Sequence, residues 1–100
     1  MKTIQIPNQS KINDLFSRNS IKYAAIFGSR AKGMAQNTSD YDFLIEFDSS
    51  VKYSLSDLVY LKREIEKNVN AEVDLVTTKG VNPKMESEIK KTARVIYERK

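Results

Sequence analysis

Ile26–Phe47, IFGSRAKGMAQNTSDYDFLIEF, is the stretch whose reading decides the fold. It runs from an apolar strand end into Gly28-Ser29, through a polar connection, to Asp40-Tyr41-Asp42 at the start of a second apolar strand. Two halves of a site lie in it. A glycine after a strand lets the backbone turn sharply and approach a ligand without a Cβ in the way. The amides that follow, with the Ser29 hydroxyl, can face a phosphate, and a short helical turn over Arg30 to Ala35 would add its N-terminal dipole. Arg30 and Lys32 bring positive charge, one as a planar fork and one as a mobile point charge. Asp40 and Asp42, two residues apart on an extended chain, point the same way with α-carbons about 6.5 Å apart. Two such carboxylates repel unless a cation lies between them. Taken alone, each half is more often a turn: Gly-Ser a strand end, Asp-x-Asp a strand entry with solvated acids.

Outward from this stretch, the period-2 pattern of Tyr41 to Phe47 puts Tyr41, Phe43, Ile45 and Phe47 on one face and Asp40, Asp42, Leu44 and Glu46 on the other. The aromatic face is expected to take the helices and leave the acidic face open. Ile21 to Phe27 reads as a mostly buried strand. Before it, Asn8 or Ser10 can cap a helix carrying Ile12, Leu15 and Phe16, ended by Asn19-Ser20. After the central pair, Ser54-Leu55-Ser56-Asp57 is a capping pattern for a helix with Leu58, Leu61 and Ile65, running to about Asn68. Glu72 to Thr77 reads as a third strand, Asn82-Pro83 as a helix start, and Arg94 to Tyr97 as a final strand. The expected order, α-β-(short α)-β-α-β-α-β, gives an α/β (α+β) fold: a small mixed β-sheet with helices on one face.

Asp74 raises the value of the acidic pair. It is an acid inside an apolar strand, where an unpaired carboxylate is costly. If that strand lies beside the one bearing Asp42, Asp74 faces the same side and completes a cluster of three carboxylates. Glu46 and Glu72 share that parity, but a surface role suits them better.

Composition narrows the chemistry. The 100 residues suit one domain, 1–100, with a modest core. The chain has no Cys and no His, which excludes thiol and imidazole catalysis, disulfides and zinc sites of the usual ligands. A metal must then be held by oxygen, favouring magnesium or manganese. No apolar run spans a membrane and no signal peptide is evident, so no membrane partner and a cytoplasmic location are expected. The net charge of +4 permits nucleic-acid contact but gives it little support, since no aromatic residues interleave with the basic ones. Strand, Gly-Ser, Asp-x-Asp on a second strand and Asp on a third together suit a nucleoside triphosphate with magnesium. Attack on its α-phosphate would release pyrophosphate and transfer a nucleotidyl group.

The segments FGSRAKG, SDYDFLIEF and EVDLVT resemble the signature of the DNA polymerase β-like nucleotidyltransferase superfamily, most nearly its minimal nucleotidyltransferase (MNT) branch. The resemblance runs in register from about Tyr23 to Val76. It implies a polymerase β-like nucleotidyltransferase core, phosphate contacts from Gly28 and Ser29, and two magnesium ions held by Asp40, Asp42 and Asp74. It also implies help from Asp74 in activating the acceptor hydroxyl. Lys32 departs from the pattern, since many relatives have Arg there and bidentate contact is lost. Small members of this branch are commonly antitoxins of HEPN-domain ribonuclease toxins, some transferring AMP from ATP to a toxin tyrosine. That role is the expectation here. An antitoxin acting by binding alone, and a nucleotidyltransferase acting on RNA or a small molecule, are the alternatives.

Overall fold

The computed structural model describes residues 6–28 and 40–99. In chain order these form α1 (Gln9–Arg18), β1 (Ile21–Phe27), β2 (Tyr41–Phe47), α2 (Leu55–Val69), β3 (Val73–Thr77), a 3-10 turn (Thr78–Gly80), α3 (Pro83–Thr92) and β4 (Arg94–Glu98). The expected short helical turn over Arg30 to Ala35 lies outside the described residues.

The four strands form one mixed sheet in the order β3-β2-β1-β4. β1 is antiparallel to both β2 and β4, whereas β2 and β3 run parallel. A parallel pair needs a long crossover, and α2 supplies it. Its start is fixed as the sequence indicates. Ser54 and Asp57 form a reciprocal capping box, with the Ser54 amide donating to Asp57 Oδ2 at 2.8 Å. Asn70, in the left-handed region at φ 54°, ends the helix. α3 begins as read, its Met85 amide donating to Asn82 Oδ1 at 2.8 Å with Pro83 following the cap.

α1 differs in one detail. Asn8 occupies the cap position with a left-handed backbone and makes no side-chain cap. Its Nδ2 donates instead to the Asn68 carbonyl, tying the start of α1 to the end of α2. A long-range partner has displaced a local one.

The core lies between one sheet face and the stripes of α1 and α2. Ile12, Leu15 and Phe16 from α1, and Leu61, Ile65 and Val69 from α2, meet Tyr41, Phe43, Ile45 and Phe47. Phe16 sets its ring edge-on to Phe43 and tilts against Tyr97, a geometry that adds to plain area burial. On the opposite face Ala25, Phe27 and Leu44 are also buried, while Asp40 and Asp74 are exposed and Asp42 is intermediate. That second face is therefore open at its acidic end and closed over its apolar part. No helix of the described residues is long and apolar enough to cross a membrane.

Phe43, fully buried, and Leu55, 75% exposed, test this assignment of the core. Phe43→Ala is expected to cost about 3–5 kcal/mol in urea unfolding. Leu55→Ala should stay within about 0.5 kcal/mol.

Candidate active site

β2 and β3 pair in a register that sets Asp42 directly beside Asp74, with Tyr41 beside Val73 and Phe43 beside Leu75. Parallel neighbours in a sheet are about 4.8 Å apart and their side chains share a face, so the two carboxylates rise together from the second face. The register is strongly specified. A slip by one residue would expose Val73, which is 2% exposed, and bury Asp74. Asp40 stands at the entry to β2, where the Tyr41 amide donates to the Glu72 carbonyl at 2.9 Å and holds the strand starts together.

The glycine turn meets this cluster through β1. Phe27 pairs with Asp42, and Gly28 follows it at φ +79°. Gly28 is needed there on two counts. The left-handed backbone disfavours a side chain, and a Cβ would collide with Asp42 Oδ2. The backbone at Gly28 thus lies against the Asp42 carboxylate, so the turn and the acids form one site.

Electrostatics mark Asp42 as the strained member. Its pKa is raised from 3.8 to about 6, chiefly by burial and then by the negative charges of Asp74, Asp40 and Glu88. Glu88, on α3, was not singled out from the sequence, where its place in a charged amphipathic helix resembles an ordinary solvated face. Its proximity to Asp42 follows only from the packing of α3 beside β1. Asp48, past the far end of β2, shows the opposite case. Hydrogen bonds from the Ser50 amide and hydroxyl, and from Arg99, hold its pKa down at about 2.

Among the described residues no hydrogen-bond donor is seen on the Asp42 carboxylate, and Asp74, Asp40 and Glu88 all disfavour its charge. A hard cation would offset this, and the donor set, carboxylate oxygens alone, suits magnesium or manganese. Among the described residues no three acidic side chains stand close enough together to hold a metal ion, so the expected cluster of three carboxylates is not assembled there. Of the residues singled out from the sequence, the structure brings together Asp42, Asp74 and Gly28, with Asp40 close enough to act on Asp42. Ser29, Arg30 and Lys32 lie outside the described residues.

A strand–glycine turn abutting two carboxylates on adjacent strands is the arrangement expected of a nucleotidyl-transfer fold, and the comparisons agree. Residues 10–100 match the family "Polymerase beta, Nucleotidyltransferase", and the chain belongs to it. Two similar proteins of Methanocaldococcus jannaschii are named as candidate protein adenylyltransferases. One is 39% identical over 79% of this chain and 83% of its own length, the other 37% identical over 69% and 70%. A solved minimal nucleotidyltransferase of candidate status superposes with a TM-score of 0.72 at 28% identity, covering 86% of each chain. A toxin–antitoxin structure with AMP-PNP gives a TM-score of 0.76 at 18% identity, over 91% of this chain and 73% of that one. The resemblance read from the sequence is thereby borne out at the level of family and fold.

The Asp42 pKa has a testable sign. Without divalent cations the unfolded chain releases this proton near pH 4 and the folded protein near pH 6, so folding takes up a proton between them. Stability should therefore fall as pH rises from about 4 to about 6 and stay lower above it. After allowance for solvent screening, this group contributes about 1 kcal/mol of that fall. Asp42→Asn should remove its share, read as a flatter pH profile of urea midpoints. Gly28→Ala is expected to destabilise by about 1–3 kcal/mol through left-handed strain and the clash with Asp42.

Proposed function

We propose that this chain is a magnesium-dependent nucleotidyltransferase that moves AMP from ATP to a tyrosine hydroxyl of a HEPN-domain ribonuclease toxin, and so acts as its antitoxin. The observation that carries the catalytic part is the Asp42–Asp74 pairing with Gly28 against it. Such a site can carry phosphoryl-type chemistry by positioning and charge neutralisation, without a histidine. In this reading Asp40, Asp42 and Asp74 would hold two magnesium ions, whose chemistry would be to neutralise the charge of the triphosphate. The turn at Gly28 would let the triphosphate approach, with Ser29 meeting its outer phosphates and Arg30 and Lys32 adding positive charge. The acceptor oxygen forms a bond to the α-phosphorus, the bond to the β-phosphate oxygen breaks, and pyrophosphate leaves. Asp74 takes the acceptor proton.

The place of Asp74 supports an acceptor from another chain. It is exposed and sits on β3, an edge strand, where a partner side chain can approach from outside. The names of the relatives support the protein-directed reading. The M. jannaschii proteins are named for protein adenylyl transfer. One structure sharing the fold, at 16% identity, is of a tri-AMPylated Shewanella oneidensis HEPN toxin with an MNT antitoxin. Soluble ATP as donor fits the expected cytoplasmic setting.

Co-expression with a HEPN partner followed by intact mass measurement tests this. The partner should gain one or more AMP units, and Asp42→Asn or Asp74→Asn should reduce the modified fraction by at least about a hundredfold. Neutralisation that persists in both variants without a mass change would establish contact alone as the mechanism. Labelled nucleotide arriving on RNA would assign the acceptor to nucleic acid.

A further inference from the structure

Thr92 is the one buried polar side chain among the described residues, 3% exposed at the last position of α3. Its burial is not accidental packing. The Gly28 amide donates to Thr92 Oγ1 at 2.9 Å across 64 residues of chain, and Thr92 Oγ1 donates to the Glu88 carbonyl at 2.8 Å. The direction of both bonds is fixed by chemistry. An amide can only donate and a carbonyl can only accept, so the hydroxyl must take from Gly28 and give to Glu88. Both protein groups are thereby satisfied, and the hydroxyl cannot rotate without leaving one of them unpaired.

We propose that Thr92 is a positioning residue for nucleotide binding: it locks the Gly28 peptide in its left-handed turn against Asp42, and so keeps the open side of the glycine beside that carboxylate. This rests on reading Gly28 and Asp42 as part of the nucleotide site. The Gly28 amide is committed to Thr92, so it holds the turn rather than a phosphate. The lock joins elements far apart in sequence. The chain passes from Thr92 through Ala93 into β4, whose Arg94 pairs with Ile26 just ahead of the turn. α3 and β4 together thus clamp the end of β1 from outside the acidic cluster. A local hydrogen bond from Thr to a helix carbonyl is common; acceptance of a glycine amide from a strand end is the feature that gives this one a role at the site.

The test uses the full chain with ATP and magnesium. Thr92→Val keeps the shape but removes the hydroxyl, and should weaken ATP binding about tenfold, the loss of a buried hydrogen bond of about 1.4 kcal/mol. Thr92→Ser should restore affinity to within about threefold. In the wild-type protein, amide hydrogen exchange should show Gly28 protected without nucleotide, and ATP should shift the Thr92 methyl resonance. Those two readings decide the matter even if Thr92→Val does not fold. A Gly28 amide exchanging freely, or a Thr92 signal blind to ATP, would overturn the proposal. So would a folded Thr92→Val protein that binds ATP as tightly as wild type. Wild-type protein that binds no ATP while Gly28 stays protected would overturn the nucleotide reading, and the positioning role with it, but leave the hydrogen bond standing.

Discussion

The pairing of β2 with β3 sets two like charges beside each other, and much of the site depends on that register. Side chains at Asp42 and Asp74 lie on one face because Tyr41 and Phe43, beside Val73 and Leu75, are held to the other by the core. Burial of the apolar set thus enforces the closeness of the acids. The apolar contacts stabilise the fold, and a small part of that stability is offset by carboxylate repulsion. Strain of this kind, concentrated where a ligand can relieve it, is characteristic of functional sites.

The two acids past either end of the sheet's centre make the contrast plain. Asp48 is surrounded by donors, with the Ser50 amide and hydroxyl on one oxygen and Arg99 on the other, and its charge is settled within the protein. Among the described residues, Asp42 has acids and a glycine as its polar surroundings. The same residue type in the same small domain is tied into the structure in one place and set among like charges in the other. Partners, rather than identity, decide the role.

Much of this arrangement was legible in the sequence because its signals are local. Alternation along Tyr41–Phe47 assigns the faces, Ser54 and Asp57 announce α2, and Asn82-Pro83 announces α3. The three aspartates follow from parity once the strands are taken as neighbours. What was not legible depends on distant packing. Asn8 reads as a helix cap, yet its side chain bonds to Asn68, sixty residues away. Thr92 and Glu88 read as an ordinary end of a charged helix. Only the docking of α3 beside β1 brings Thr92 to the Gly28 amide and Glu88 into the field of Asp42. Local periodicity carries no information about such contacts.

The central claim is that Asp42, Asp74 and Gly28 form one site for a divalent cation with nucleotide. Manganese is a paramagnetic stand-in for magnesium with the same preference for oxygen ligands. Amide spectra recorded with ATP and a trace of manganese report its place residue by residue. Selective broadening of Gly28, Asp42 and Asp74, with Asp48 and Arg99 at the far end left sharp, is the result the account predicts. Broadening centred elsewhere, or none that depends on ATP, would contradict it.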